Sequence, residues 1–226
     1  MAQNQNSSRE NVLRSARLYV LLTQAHCRIR ILDAVHQVIR GGADVVQLRE
    51  TEAGDREILR HARELRRITA NAGVGFIVND RPDIARLARA DGVHLGQKDL
   101  PPAAARKLLA ESQILGISTH SVEQVRRASE EGAEYISVGP IFPTPTKGYE
   151  QGVGVEYIRA ASEATDAPLV AIGGITVDRI QQVLSAAPGR QVIIAVCSAI
   201  LGAEDIEAAT ASFKDAIQRH LFLLGA

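Results

Sequence analysis

The segment from Gly139 to Gly148 carries the residues with the clearest chemical potential in this chain. Thr144, Thr146 and Lys147 lie in it, and the apolar run 135–138 precedes it directly. Two hydroxyl groups and one fixed positive charge at the end of a buried strand suit a phosphate or pyrophosphate ligand. A proline-stiffened turn with a solvent-exposed lysine is the alternative interpretation of this segment taken alone.

A second signal for an anion site comes from the glycine pair Gly173 and Gly174, which follows the apolar run 169–172. Ser198 has a similar place, because it follows the apolar run 192–196. Glycines allow backbone N–H groups to approach a phosphate closely, and a helix that begins there adds its positive end. A glycine turn of purely structural use is the alternative. The pattern predicts a phosphate site next to the threonine and lysine segment.

Two acidic residues, Asp80 and Asp99, are the candidate metal ligands. They follow consecutive predicted strands, so their carboxylates can converge on one hard cation. Mg²⁺ prefers one or two carboxylates together with water and substrate phosphates. A helix cap or a surface charge is the alternative for each aspartate alone. As a pair beside a phosphate site, they predict bound Mg²⁺.

Histidines and cysteines give weaker signals. His120 lies just past an apolar run and is a candidate general acid or base. His94 lies inside an apolar run, which favours a packed, hydrogen-bonded core histidine. Cys27 and Cys197 match neither a metal-ligand spacing nor a secreted disulfide pattern, which predicts a reducing, cytoplasmic location. Without an adjacent histidine or cation, Cys197 is predicted to be a small buried residue.

The elements that must position these residues form a repeated strand–helix pattern, typical of parallel strands joined by crossover helices. The predicted strands are 18–23, 44–48, 75–78, 92–95, 114–117, 135–138, 169–172 and 192–196. They predict an α/β fold, a single (β/α)8 TIM barrel over residues 16–226, with a doubly wound open sheet as the alternative. No Gly-x-Gly-x-x-Gly follows the first strand, which weakens the dinucleotide-binding form of that alternative. Residues 1–15 are predicted to form a flexible tail.

Composition excludes several classes of partner. Lys and Arg total 26 and so do Asp and Glu, and this neutral balance argues against binding to nucleic acid or a membrane surface. No apolar run reaches the length that spans a bilayer, and the polar start is unlike a secretory signal. A homo-oligomer stays open. The glycines of residues 148–154 permit a lid.

Six segments resemble the thiamine phosphate synthase family, in the family's order. They are Gln47-Leu-Arg49-Glu50, Ile77-Val-Asn-Asp-Arg81, His94-Leu-Gly-Gln-x-Asp99, Gly116-Ile-Ser-Thr-His120, Gly139-Pro-Ile-Phe-Pro-Thr-x-Thr-Lys147 and Ile172-Gly-Gly-Ile-Thr176. The resemblance covers residues 18–216. It implies a Mg²⁺-dependent transferase that couples hydroxymethylpyrimidine diphosphate to thiazole phosphate and releases pyrophosphate. In the family, the pyrimidine passes through a carbocation.

The resemblance also implies a role for each matching residue. Asp80 and Asp99 would hold Mg²⁺ on the pyrophosphate, and Gln47 would lie near the pyrimidine. The pyrophosphate or pyrimidine contacts would be Arg49, Asn79, Ser118 and Lys147, of which Arg49, Ser118 and Lys147 are the predicted catalytic residues. The thiazole phosphate contacts would be Thr144, Thr146, Gly174, Cys197 and Ser198.

One position departs from the family pattern Gln-x-Arg-Glu-Lys, because Thr51 replaces its lysine. Losing one charge-assisted contact costs ~1.5–3 kcal/mol, on the order of ten- to a hundred-fold in rate or affinity, which predicts a weaker synthase. Lys98 is a candidate substitute. Two other functions stay open: a thiazole tautomerase that uses His120, and a non-catalytic paralogue that binds a thiamine-pathway phosphate.

Overall fold

The fold is a closed barrel of parallel strands, seen in a computed structural model that describes residues 13–144 and 151–223. The strands are β1 (Leu18–Leu22), β2 (Val45–Leu48), β3 (Gly75–Asn79), β4 (Gly92–Leu95), β5 (Ile114–Thr119), β6 (Tyr135–Val138), β7 (Leu169–Ile172) and β8 (Val192–Val196). They pair in chain order, and β8 pairs back to β1. The predicted (β/α)8 barrel is confirmed, and the open sheet is excluded by the β1–β8 pairing.

Helices cover the outside of the barrel between successive strands. They are α1 (Ile31–Arg40), α2 (Asp55–Ala72), α3 (Pro82–Ala88), α4 (Pro102–Leu108), α5 (Val122–Glu130), α6 (Glu156–Ala164), α7 (Ile180–Leu184), α8 (Ser198–Leu201) and α9 (Ile206–Leu223). Local sequence sets several of their ends. Prolines open α3 and α4, where a missing N–H costs nothing, and the Ser121 hydroxyl caps α5 by accepting from the Gln124 N–H.

Successive residues along each strand point alternately into two packed layers. Val20, Val46 and Val78 face outward and belong to the core between the strands and the helices. Their neighbours along the strands point inward and fill the lower part of the barrel, among them Tyr19, Val45, Ile77, Ile114, Tyr135, Val170 and Ile193. This period of two is the ordinary consequence of strand geometry. The two cavities inside the barrel lie above this apolar filling, near the carboxyl ends of the strands.

The amino-terminal end of the barrel is closed by the segment before β1. Leu13 and Ala16 are buried against the barrel interior, and the Gln191 side chain donates to both of their carbonyl oxygens. The predicted flexible tail, 1–15, stays a prediction for residues 1–12, which lie outside the described part of the chain.

None of the helices within residues 13–144 and 151–223 has the length and apolar character needed to cross a membrane.

Candidate active site

A layer of polar side chains lies above the apolar filling, at inward positions of β2 to β6, whereas the corresponding residues of β1, β7 and β8 are the apolar Leu21, Ile172 and Ala195. These residues surround a small chamber of about 40 Å³, whose polar walls include Gln47, Arg49, Asn79, His94, Ser118 and Ser137. The structure therefore brings together four residues that the sequence predicted to bind substrate: Gln47, Arg49, Asn79 and Ser118. Their strands pair as neighbours from β2 to β5, so the barrel register fixes their mutual positions.

A chain of hydrogen bonds runs across the floor of this chamber. Gln47 Nε2 donates to the Tyr19 hydroxyl at 2.8 Å, and the hydroxyls of Tyr19 and Tyr135 lie 3.2 Å apart. His94 Nδ1 lies 3.0 Å from the Tyr135 hydroxyl, and His94 Nε2 lies 2.8 Å from Ser118 Oγ. His94 is only 7% exposed, so its predicted role as a packed, hydrogen-bonded core histidine is confirmed. Its contact with Ser118 was not predicted.

Burial keeps the two tyrosines protonated. It raises the pKa of Tyr19 and of Tyr135 well above the ordinary value, so both hydroxyls remain donors. The Tyr135 ring has room only because residue 116 is glycine. A Cβ on Gly116 would lie 2.0 Å from Tyr135 Cζ, and any larger residue would displace the ring.

A larger cavity of about 390 Å³ opens beside the chamber. The predicted thiazole phosphate residues Thr144, Gly174, Cys197 and Ser198 line it, so the structure brings these four together as well. Thr146 and Lys147 lie outside the described residues, and their predicted roles stay predictions. The two cavities share one wall, formed by Leu21, Arg49, Ser118, Ser137, Ile172 and Ala195.

The glycine pair has a structural role in addition to any ligand contact. Both residues have positive φ, 103° at Gly173 and 60° at Gly174. A Cβ on Gly174 would lie 2.5 Å from the Pro143 carbonyl oxygen, and the Phe142 N–H donates to the Gly173 carbonyl oxygen at 3.0 Å. Glycine therefore allows the loop after β6 to lie directly on the loop after β7.

The base of the loop after β6 is also held from its other side. The N–H groups of Val153 and Gly154 donate to the carbonyl oxygens of Pro140 and Ile141, at 2.8 and 3.0 Å. The last residues of the predicted lid are thus paired by backbone hydrogen bonds. Residues 148–150 of that lid lie outside the described chain, so its closure stays a prediction.

Arg179 is a residue of this cavity that the sequence analysis missed. Its Nη1 donates to the Gly174 carbonyl oxygen at 2.7 Å, and its guanidinium carbon lies 4.5 Å from the centre of the Phe142 ring. It lines the larger cavity, where its positive charge favours an anionic ligand. Arg179 lies three residues after the Gly-Gly-Ile-Thr segment 173–176, and this short distance from a predicted phosphate site is the sequence signal that indicates it.

The candidate metal ligands lie on the adjacent loops that follow β3 and β4. Asp80 has a left-handed backbone, with φ 61°, and its N–H donates to the His94 carbonyl oxygen at 2.8 Å. Asp99 Oδ2 accepts from the Gly96 N–H at 2.6 Å. Both are partly buried. Among the residues the structure describes, no cluster of three or more His, Cys, Asp and Glu could hold a metal. A two-carboxylate set completed by water and phosphate still fits Mg²⁺.

A polar bridge connects the Asp99 loop to Ser118. Gln97 Nε2 donates to the Ser118 carbonyl oxygen at 2.7 Å, and Arg127 Nη2 donates to Gln97 Oε1 at 2.6 Å. Lys98 and Thr51 are both exposed. Lys98 as the residue that takes the role of the lysine replaced by Thr51 stays a prediction.

His120 and Cys197 both line the larger cavity. His120 Nδ1 lies 2.6 Å from the Gly139 carbonyl oxygen, which only accepts, so Nδ1 carries the proton. Burial raises the pKa of the Cys197 thiol to about 11, although the nearby charge of Arg49 acts in the opposite direction. A thiol with so high a pKa is a poor nucleophile at neutral pH. Cys197 is only partly buried, where the sequence predicted a buried residue.

Comparisons with known proteins give a consistent result. Residues 18–200 match the family model described as thiamine monophosphate synthase. The chain is 41% identical over 204 residues to the thiamine-phosphate synthase of Moorella thermoacetica, covering 89% of this chain and 96% of that protein. It is 43% identical over 207 residues to that of Gloeobacter violaceus, covering 92% of this chain but only 59% of that longer protein.

Solved structures give the same result. The thiamine phosphate pyrophosphorylase from Pyrococcus furiosus superposes with a TM-score of 0.83 at 34% identity, covering 94% of this chain and 98% of that one. A 3-hexulose-6-phosphate synthase superposes with a TM-score of 0.63 at 18% identity, covering 88% of this chain and 99% of that one, and shares the fold alone.

Proposed function

This chain belongs to the thiamine-phosphate synthase family, and on that premise we propose that it is a transferase that makes thiamine phosphate. It couples hydroxymethylpyrimidine diphosphate to thiazole phosphate and releases pyrophosphate. The observation that carries the proposal is the wall shared by the two cavities, which includes Arg49 and Ser118. A reaction between two substrates needs two sites that meet at the reacting atoms, and this wall supplies such a place.

The pyrimidine diphosphate binds over the small chamber, whose volume of about 40 Å³ is too small to enclose the whole molecule. Gln47 offers an amide to the ring, while Arg49, Asn79 and Ser118 offer hydrogen-bond donors to the pyrophosphate. The bond from the pyrimidine methylene carbon to the pyrophosphate oxygen breaks first, and its electron pair leaves with the pyrophosphate. The protein therefore has to stabilise negative charge that grows on that oxygen, which is work for donors already fixed in place.

The larger cavity takes the thiazole phosphate. The Gly174 N–H, the Thr144 hydroxyl and the backbone at Cys197 and Ser198 bind the phosphate group, and Arg179 adds positive charge. The thiazole nitrogen then lies toward the shared wall, and its lone pair forms the new bond to the methylene carbon. Electrons balance without any proton transfer, since the nitrogen ends as the thiazolium of the product. Water has to be excluded during this step, because it would trap the same carbocation.

Asp80 and Asp99 are the residues that would hold Mg²⁺. Bound Mg²⁺ supplies charge neutralisation for the pyrophosphate oxygens. Lys147 is proposed to add a further donor to the same group. The Gln97 bridge connects the Asp99 loop to the Ser118 backbone, in the wall of the chamber.

The test is to incubate the purified protein with both precursors and Mg²⁺ and to measure all products. Equal amounts of thiamine phosphate and pyrophosphate support the proposal, and the yield is expected to fall when EDTA removes Mg²⁺. Turnover of the thiazole tautomer alone would instead favour the tautomerase, for which His120 has the fixed tautomer described above. Tight binding of the precursors without turnover would favour a non-catalytic paralogue.

We also propose a cytoplasmic location, from the two unpaired cysteines and the small phosphorylated substrates. A homo-oligomer stays a prediction, which light scattering on the purified protein would test.

A further inference from the structure

The hydrogen-bonded chain from Gln47 to Ser118 has a direction. The Gln47 amide nitrogen only donates, so the Tyr19 oxygen accepts from it. Either tyrosine could donate to the other, but among the described residues the Tyr135 oxygen is the one acceptor within reach of the Tyr19 proton, which favours donation from Tyr19 to Tyr135. The Tyr135 proton is then left for Nδ1 of His94, 3.0 Å away. Nδ1 is therefore an acceptor, and the proton of the neutral imidazole lies on Nε2, which donates to Ser118 Oγ at 2.8 Å.

We propose that Tyr19, Tyr135 and His94 are positioning residues that fix the Ser118 hydroxyl as a donor to the leaving pyrophosphate. The inference rests on the proposed function, because that function defines the leaving group. A serine hydroxyl has one proton. When its oxygen accepts from His94, that proton points away from the imidazole and toward the chamber. Pyrophosphate oxygens accept hydrogen bonds, so the hydroxyl has the orientation that the developing charge needs before the reaction begins.

The surroundings of the chain favour one fixed arrangement. Tyr19 and Tyr135 are 2% and 0% exposed, and Gly116 leaves space for the Tyr135 ring to lie almost parallel to His94, at 26°. In a buried network of this kind, each donor needs a defined partner, because water does not replace a lost one. The reversed arrangement would turn the Gln47 carbonyl oxygen toward Tyr19. It would also make Ser118 donate to His94 and not to the ligand.

The first test reads the His94 tautomer directly, by ¹⁵N NMR of histidine-labelled protein. The His94→Gln variant identifies the His94 signals by their loss. We expect the Nε2–H tautomer in the protein alone and with added Mg²⁺ and pyrophosphate. The Nδ1–H tautomer in the presence of pyrophosphate would overturn the proposal. This readout does not depend on turnover, so it separates failure of this inference from failure of the proposed function.

The second test asks whether His94 acts through Ser118. In His94→Gln the amide nitrogen can reach the position of Nε2 and still donate to Ser118, whereas in His94→Asn it reaches only the position of Nδ1. We expect His94→Asn to lower kcat ~10- to 100-fold with KM values changed less than about three-fold, and His94→Gln to retain most of the rate. In a variant that already carries Ser118→Ala, adding His94→Asn should lower kcat by less than about three-fold more.

Effects that multiply in the double variant would show that His94 has a separate, structural role, and would overturn the proposal. The same cycle is measured for Mg²⁺–pyrophosphate binding by calorimetry, so it remains informative even for a protein without coupling activity. Ser118→Ala and His94→Asn should each weaken that binding ~10-fold, and together no more than either alone. Tyr135→Phe breaks the chain one step earlier and should give a similar, smaller loss. Unchanged pyrophosphate binding in all of these variants would refute the inference.

Discussion

The small chamber and the larger cavity are built in different ways. The chamber is walled by side chains that project from the strands, such as Gln47, His94 and Ser118, and the closed barrel register fixes their positions. The larger cavity is lined mainly by residues of the loops that follow the strands, among them Gly139, Gly173 and Gly174. Strand side chains suit pre-organised stabilisation of developing charge, while backbone N–H groups suit recognition of a phosphate. Changes in the chamber should therefore alter kcat, and changes in the larger cavity should alter KM for the thiazole phosphate.

The largest effect is expected from Ser118→Ala. Removing the hydroxyl takes away the donor that we propose for the leaving pyrophosphate, so kcat should fall at least ~10²-fold with the fold intact. Steady-state kinetics and thermal unfolding of the same samples provide the measurement. Ser137→Ala is the matched comparison, because Ser137 faces Ser118 in the β5–β6 register. Its loss should be at least about ten-fold smaller, and equal losses would contradict the assignment of Ser118.

Gly174→Ala is expected to affect the larger cavity and not the chamber. Its positive φ and the Pro143 oxygen 2.5 Å from the new Cβ force the loop to move. KM for the thiazole phosphate should rise ~10-fold or more, while pyrophosphate affinity changes little. Gly132→Ala is the control, since Gly132 also has positive φ but its added Cβ would meet no atom within 4 Å. A similar rise in KM for both variants would remove the phosphate role of Gly174.

A smaller effect, and a gain, is expected from Thr51→Lys. The new ammonium group can add a charge-assisted contact to the pyrophosphate, so kcat/KM should rise up to ~10-fold. Thr51→Met provides a side chain of similar length without charge and should give no gain. A drop with lysine would mean that the mouth has been remodelled around the threonine.

Cys197, which lines the larger cavity, is expected to react slowly with thiol reagents. With a pKa of about 11, only about 10⁻³ of the Cys197 thiol is ionised at pH 8. In a Cys27→Ser variant, iodoacetamide should therefore modify Cys197 ~10²-fold more slowly than a free cysteine, with a rate that rises steadily toward pH 11. Mass spectrometry of timed samples measures this rate. Rapid modification at pH 8 would show that the thiol is more ionised than its burial implies.

The strands and the polar residues at their ends are predictable from the sequence, because each is a local pattern. β-branched runs give the strands, and no predicted strand end differs from the structure by more than two residues. The parallel strands of the barrel then place the residues that follow them at one mouth. Thr144, Gly174, Cys197 and Ser198 all line the larger cavity, at the end of the barrel where this argument places the residues that follow the strands.

The chain from Gln47 to Ser118 was not predictable in the same way. Its members come from β1, β2, β4, β5 and β6, and they meet only because the barrel closes. Tyr19 and Tyr135 also look like ordinary core residues in their apolar runs. Arg179 was missed for a related reason, since its contact with Gly174 depends on a loop that folds back after the glycine pair.

The left-handed backbone of Asp80 bears on how its charge can be studied. Asn79 lines the chamber, so a continuing strand would turn the next side chain outward. The positive φ ends that alternation, and consecutive residues can then serve the same ligand. Asparagine tolerates this conformation nearly as well as aspartate, whereas alanine does not. Asp80→Asn therefore isolates the loss of the carboxylate, while Asp80→Ala would combine it with a change in the path of the polypeptide.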